Sequence, residues 1–227
     1  MQNHAGFTSE LKFVISGEAA AAVRQWAREE LVADPHAVGA GDGYETTTLY
    51  FDTDDFDLFF RRRSYARAKY RVRSYNSGAI FLERKMKARD VVRKRRSHVA
   101  PADLVLIDDA GIEWPGRWFA RRLQRRRLKP VCQIRYSRTA LVGAALRLTI
   151  DQHLAAVAID TIVFTSDPGT EVLPGAAILE LKYRTELPVL FERLIEEFRL
   201  EPRPISKYRL AVRTLGLASE GEGTLVA

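Results

Sequence analysis

Lys69, Arg71 and Arg73 recur at every second position of the stretch KYRVRSYNSGAIFLERKMK, and after Asn76, Ser77 and Gly78 the spacing resumes with Phe81, Glu83, Lys85 and Lys87. Guanidinium forks and ammonium point charges match the oxygens of phosphoryl groups, and interspersed carboxylates are hard ligands for Mg²⁺ or Mn²⁺. Successive side chains of a strand point to opposite faces. The spacing therefore puts five cations and one carboxylate on one face of a hairpin, with Tyr70, Val72, Leu82 and Met86 on the other. A solvated face of an antiparallel sheet explains one such hairpin. It does not explain a recurrence.

The pattern does recur. Glu10 and Lys12 are two apart in SELKF; Arg147, Thr149 and Asp151 alternate with Leu146, Leu148 and Ile150; Glu180 and Lys182 alternate with Leu179, Leu181 and Tyr183. A closed sheet accounts for this, since the interior of a barrel is polar when it holds water or a ligand, while helices cover its apolar exterior. So many cations on one inner surface need a counter-charge, because a half-buried charge must be paired. A triphosphate with a divalent metal supplies it economically.

The remaining segments provide the scaffold. Leu11 to Ser16 reads as a strand, Ser16 as the cap of a helix over Glu18 to Val32, and TTTLYFD as a buried strand. DTDDFDLFFRRR, acidic at its start and basic at its end, reads as one or two helical turns. In ARDVVRKRRSHVA a third strand puts Val92, Lys94 and Arg96 on one face. Glu113 to Arg127 reads as an arginine-rich helix, either a solvated face or a grip for a polyanion or RNA. PVCQIRYSRTALVG, ALRLTIDQHLAAVAI and AAILELKYR are further strands; PVLFERLIEEFRL and ISKYRLAVRTLG are helices. The expectation is an α+β fold, an antiparallel barrel covered by several helices, formed by a single domain over residues 1–215 with a flexible tail at 216–227.

The chain has 227 residues and a net charge of +7, which favours a polyanionic partner. Cys132 is the only cysteine, excluding an internal disulfide and a cysteine-only metal site and fitting a reducing compartment. No apolar run reaches membrane-spanning length and the first residues carry no signal core, so the expected location is the cytoplasm. His36, His98 and His153 show no ligand spacing.

In order along the chain, ELKF, TLYFDTDDFDLF, KYRVR, FLERK, YSRTAL, LRLTID, ILELKYR and PISKYRL resemble the triphosphate tunnel metalloenzymes, and within them the catalytic domain of the vacuolar transporter chaperone polyphosphate polymerases, of the stand-alone bacterial type. The resemblance implies an eight-stranded antiparallel tunnel, ATP as phosphoryl donor and a divalent metal, Mn²⁺ or Mg²⁺, held by a glutamate. Carried over by position, it implies phosphate or nucleotide contacts from Lys12, Arg71, Arg73, Lys85, Lys94, Arg96, Tyr136, Arg138, Arg147, Lys182 and Lys207. The catalytic roles fall on Lys207, Arg138 and Arg147, and the metal on Glu180, with Glu10 and Glu83 as helpers or as salt-bridge partners of Lys12 and Lys85. The implied reaction extends inorganic polyphosphate from ATP. Hydrolysis of triphosphates is the alternative, and a non-catalytic polyphosphate- or RNA-binding module the second; no specific nucleic acid partner is expected.

Overall fold

The computed structural model describes residues 7, 9–35, 42–62, 65, 68–76, 78–88 and 91–218. His36, Ser77, Arg63 and residues 219–227 lie outside them. The strands are β1 (Ser9–Ser16), β2 (Val32–Ala33), β3 (Gly43–Asp52), β4 (Ala68–Tyr75), β5 (Ile80–Ala88), β6 (Val91–Val99), β7 (Lys129–Val142), β8 (Leu146–Ala158), β9 (Thr170–Glu171) and β10 (Ala176–Tyr183). The helices are α1 (Gly17–Arg28), α2 (Arg117–Arg126), α3 (Val189–Glu197) and α4 (Lys207–Thr214), with a 3₁₀ helix at Pro101–Asp108.

Eight strands form one antiparallel path, β1-β10-β8-β7-β3-β4-β5-β6, with β2 and β9 appended to β7 and β8. The expectation of a closed barrel is therefore corrected: the sheet curls into a tunnel, but β1 and β6 end the path without pairing to each other. Part of the reason lies in the chain between α3 and α4. The backbone N–H of Arg203 donates to the carbonyl of Lys12 at 2.8 Å, so this segment lies along the outer edge of β1. At the other end, exposed Arg93, Lys94, Arg95 and Arg96 crowd β6, the kind of charged edge that discourages further pairing.

The alternation read from sequence holds. Tyr70, Val72, Leu82, Leu148, Ile150, Leu179 and Leu181 are buried on the convex side. There α2 covers β3 to β5, with Phe119 edge-on to Phe51 at 5.6 Å. Helices α1 and α3 cover β1, β10 and β8 through Val23, Ala27, Phe191 and Leu194, which cluster with Phe13, Leu148, Leu179 and Leu181. The hairpin between β4 and β5 closes with Gly78 at φ 74°, a conformation strained for any side chain.

Three local expectations differ. Helix α1 stops at Arg28 because Val32 and Ala33 pair with β7 instead. Helix α2 begins only at Arg117, after Pro115 and Gly116, residues that favour a turn over a helix interior. The segment after β3 forms successive turns rather than a helix. The Asp52 carboxylate accepts hydrogen bonds from the backbone N–H groups of Thr53, Leu58 and Phe59, and Phe56 and Arg61 take positive φ, which interrupts any helix.

Helix α4 departs furthest from the picture of covering helices. It packs on the concave side, where Tyr208 stacks on Tyr50 at 5.4 Å and donates a 2.6 Å hydrogen bond to Asp52. Its first residue, Lys207, thereby enters the tunnel.

Candidate active site

The concave face carries two groups of ion pairs. In the first, on β4, β5 and β6, the Glu83 carboxylate meets Arg71 at 2.6 Å, Lys94 at 3.2 Å, Arg96 at 3.4 Å and Arg73 at 3.8 Å. Cross-strand register produces this: Glu83 stands opposite Arg71 on one side and Arg96 on the other. Burial alone would raise the Glu83 carboxyl, but the surrounding guanidinium and ammonium groups outweigh it and hold the group far below the usual range. Arg73 also donates to Thr48 at 3.2 Å, and Arg96 lies 3.4 Å over the Phe81 ring.

The second group spans β1, β10, β8, β7 and the start of α4. Glu180 is 3.1 Å from Lys12, 3.1 Å from Lys182 and 3.6 Å from Lys207. Asp151 receives both Nε and Nη2 of Arg138, at 2.6 and 2.7 Å, and Lys207 at 2.6 Å. Arg138 and Lys207 each lie 5.3 Å from the centre of the Tyr136 ring. Arg147 reaches Asp34 at 2.8 Å and Tyr44 at 3.4 Å. Burial, opposed by Lys182, Lys12, Lys207 and Arg138, leaves Glu180 well below the ordinary carboxylate range. Glu10 follows the same logic: burial and Glu180 push it up, yet Lys182, Lys12 and Lys85 hold it at about 2.

Every predicted site residue faces this concave side or its rim, in two clusters rather than one. Glu10 links them, pairing with Lys12 at 2.8 Å and with Lys85 on β5 at 3.5 Å. That corrects one expected pair: the carboxylate bound to Lys85 is Glu10, and Glu83 binds arginines and Lys94 instead. Among the described residues, Glu83 and Glu180 share no ion-pair partner. His98 sits on the rim beside Phe81, its ring centre 5.2 Å away, and His153 is exposed on β8.

Sequence reasoning missed several members. Asp151 lay on the correct face in LRLTID, but nothing local announced that Arg138 and Lys207 would converge on it. Asp34 and Tyr44 come from a loop and a strand end, where parity says little. Thr46, Thr149 and Tyr136 bury hydroxyl oxygens that have no hydrogen-bond partner among the described residues. Buried polar atoms are rarely left unpaired without a reason, and these three sit on the face that carries Arg73, Arg138 and Glu180.

The donor chemistry fits a hard divalent cation only partly supplied by protein. Among the described residues, no three His, Cys, Asp or Glu side chains are grouped to cage a metal. One or two carboxylates completed by substrate phosphate oxygens is the arrangement Mg²⁺ commonly uses; Glu180 and Glu10 both border Lys12 on this face. No helix among the described residues is long and apolar enough to cross a membrane.

Comparison with known proteins agrees with this geometry. A family model described as the VTC domain matches residues 7–216. A comparison with curated proteins found no match. Among solved structures, a putative adenylate cyclase from Bacillus halodurans superposes with a TM-score of 0.59 at 16% identity, covering 87% of this chain and 92% of that one. A putative adenylyl cyclase from Hippeastrum with a dominant triphosphatase activity gives 0.55 at 15% identity, covering 91% and 95%. The PH1012 protein of Pyrococcus horikoshii gives 0.51 at 12%, covering 88% and 97%. At these identities the likeness concerns the fold, a curled antiparallel tunnel.

Proposed function

Because the chain belongs to the VTC domain family, we propose that it is a metal-dependent phosphotransferase that moves the γ-phosphoryl group of ATP onto a growing inorganic polyphosphate chain within its tunnel. The observation that carries this reading is the surplus of cations over carboxylates on the concave face, together with the unpartnered hydroxyls of Thr46, Thr149 and Tyr136. A bound triphosphate meets both needs: it balances the charge and offers oxygens to the hydroxyls.

Phosphoryl transfer depends mostly on positioning and on neutralising charge spread over the equatorial oxygens. Arg71, Arg73, Lys85, Lys94 and Arg96 flank one side of the lining and Lys12, Arg138, Arg147, Lys182 and Lys207 the other. A terminal phosphate oxygen of the acceptor forms the new bond to the γ-phosphorus as the bond to the β–γ bridging oxygen breaks, and ADP leaves. No protein nucleophile takes part. Lys207, Arg138 and Arg147 stabilise the transferring group, Tyr136 supplies a hydroxyl, and Glu83 keeps the neighbouring cations aligned. Mn²⁺ or Mg²⁺, held by Glu180 with Glu10 beside it, would neutralise phosphate charge when bound.

A second reading, hydrolysis of triphosphates, is favoured by the Hippeastrum relative's triphosphatase activity; the same lining serves if water replaces the acceptor. Incubation with ATP and Mn²⁺, followed by a gel that resolves phosphate chains, separates the two. Chains longer than triphosphate support the polymerase, free phosphate alone supports the hydrolase, and neither product removes both.

A further inference from the structure

Strand β6 is the open end of the sheet. It pairs with β5 along Val91–Val99 and, among the described residues, with no other strand, whereas β1 at the opposite end is met by the backbone N–H of Arg203 on the Lys12 carbonyl at 2.8 Å. Alternate N–H and C=O groups of an edge strand point away from its single neighbour. They form a row of donors and acceptors that another extended chain can complete.

Side chains along that edge divide by parity. Lys94 and Arg96 turn to the concave face, where Glu83 holds them at 3.2 and 3.4 Å. Arg93 and Arg95 turn to the convex face, outside the tunnel. There Arg95 stands directly opposite Arg84 on β5 and lies 4.4 Å over the Trp118 ring of α2. Like charges directly opposite one another weaken a sheet. Arg122, one turn along α2 from Trp118, joins the group: burial, with Arg122, Arg95 and Arg126 alongside, outweighs Tyr70 and pushes the Arg84 guanidinium below its ordinary value. Among the described residues no carboxylate pairs with Arg84, Arg93, Arg95 or Arg122, and the buried Nε of Arg84 has no hydrogen-bond partner. This outer charge is uncompensated, and phosphoryl transfer in the tunnel has no use for it.

Two features select the occupant. A strand edge is completed by the backbone of another polypeptide, because a phosphate chain or a nucleic acid has no alternating N–H and C=O groups to offer. The charge of that polypeptide must be negative. A second copy of β6 would set arginine against arginine, so the same cations that repel a like edge select an acidic one. We propose that the outer edge of β6 docks an extended segment of a partner protein with Asp or Glu at every second residue, added to the sheet as a further strand with its carboxylates toward Arg84, Arg93 and Arg95. On the concave side Glu83 already holds Lys94 and Arg96, and the segment's intervening positions take neutral side chains. Nothing in this docking depends on the phosphate chemistry proposed for the tunnel.

The test uses the full chain and a labelled peptide of about eight residues, an ordinary strand length, in which Glu alternates with Thr or Val. Fluorescence anisotropy should show saturable binding, and hydrogen exchange of the β6 amides should slow in its presence. A peptide of the same composition with its Glu residues consecutive should bind more weakly, because half its carboxylates then face the wrong side. Arg93→Glu combined with Arg95→Glu, both exposed and on the convex side, should weaken binding about tenfold as two cross-strand charge pairs become repulsions, with the circular dichroism spectrum retained. Absence of saturable binding overturns the proposal, as do unchanged β6 exchange, equal affinity for the two peptides, and equal affinity for a single-stranded RNA of the same charge. Glu220 and Glu222 are also two apart; if Glu220→Gln with Glu222→Gln strengthens peptide binding, this chain's own end occupies the edge and the partner protein is overturned.

Discussion

Lys207 Nζ lies 2.6 Å from Oδ2 of Asp151, so the first residue of α4 and the middle of β8 share one buried charge contact. Arg138 closes on the same carboxylate through two hydrogen bonds. Asp151 is fully buried, which makes it the counter-charge for two cations at once. Asp151→Asn should therefore destabilise the protein by about 3 kcal/mol, the usual cost of stranding a buried charge. Adding tripolyphosphate should recover part of the loss, since a ligand that binds only the folded state stabilises it by mass action. Thermal denaturation with and without the anion reads both effects; an unchanged midpoint would show that the contact is unimportant to the fold.

Glu180 sits among Lys12, Lys182 and Lys207, and the proposed function makes it a ligand of the divalent ion. Glu180→Gln should lower metal-dependent turnover by about 10²-fold or more and weaken Mn²⁺ binding followed by electron paramagnetic resonance. Lys12 keeps Glu10 and Lys207 keeps Asp151, while Lys182 loses its carboxylate, so the variant should keep its circular dichroism spectrum at a lowered melting temperature. Undiminished turnover would take Glu180 out of the metal site.

Much of the lining was legible in the sequence, and the reason is geometric. A strand's period of two leaves no freedom about which residues share a face once the apolar set is fixed, so Arg71, Arg73, Glu83, Arg147, Glu180 and Lys182 fall on one side from spacing alone. Pairings between distant strands obey no such local rule. Lys85 was expected to pair with Glu83, two residues away on the same strand, yet it reaches Glu10 at 3.5 Å across the seam. The placement of α4 was hidden for a similar reason. Its apolar residues Tyr208, Ala211 and Val212 specify a buried stripe, but a stripe packs equally well against the convex or the concave face. What selects the concave side is the Tyr208 hydroxyl bond to Asp52, a contact between residues at opposite ends of the chain. Closure of the sheet was likewise unreadable, because it depends on which segment reaches the edge of β1 first.

The stability of the protein should fall steeply in acid. Glu10 is held at about 2, and Glu83, Glu180 and Asp151 are held below their usual values by the cations around them. For a depressed carboxyl, the unfolded chain binds more protons than the folded one between the two pKa values, so stability rises with pH across that window. The contribution is complete above about pH 5 and is lost progressively as pH falls toward the folded values. Melting temperature measured at successive pH values should drop steeply through this range, and Glu83→Gln should flatten part of the drop. A flat profile in the unaltered protein would contradict the assigned ion pairs.

Cys132 reports on the tunnel wall independently of any activity. It lies on β7 with no exposed surface, opposite Tyr50 in register, and burial pushes its thiol up to about 12. The thiolate is the reactive form of cysteine, so both access and ionisation protect this group while the sheet is intact. A thiol reagent at neutral pH should leave the folded protein unmodified and label one cysteine per chain after denaturation. Since Cys132 and Tyr208 belong to the same apolar cluster, displacing α4 should open the site as well. Tyr208→Phe removes the bond to Asp52 and leaves a buried carboxylate one donor short, a loss of about 1 to 3 kcal/mol. Labelling of that variant under native conditions should accordingly run about five- to 150-fold faster than in the unaltered protein, in line with that change in the opening equilibrium. Equal rates would mean that α4 does not guard this part of the wall.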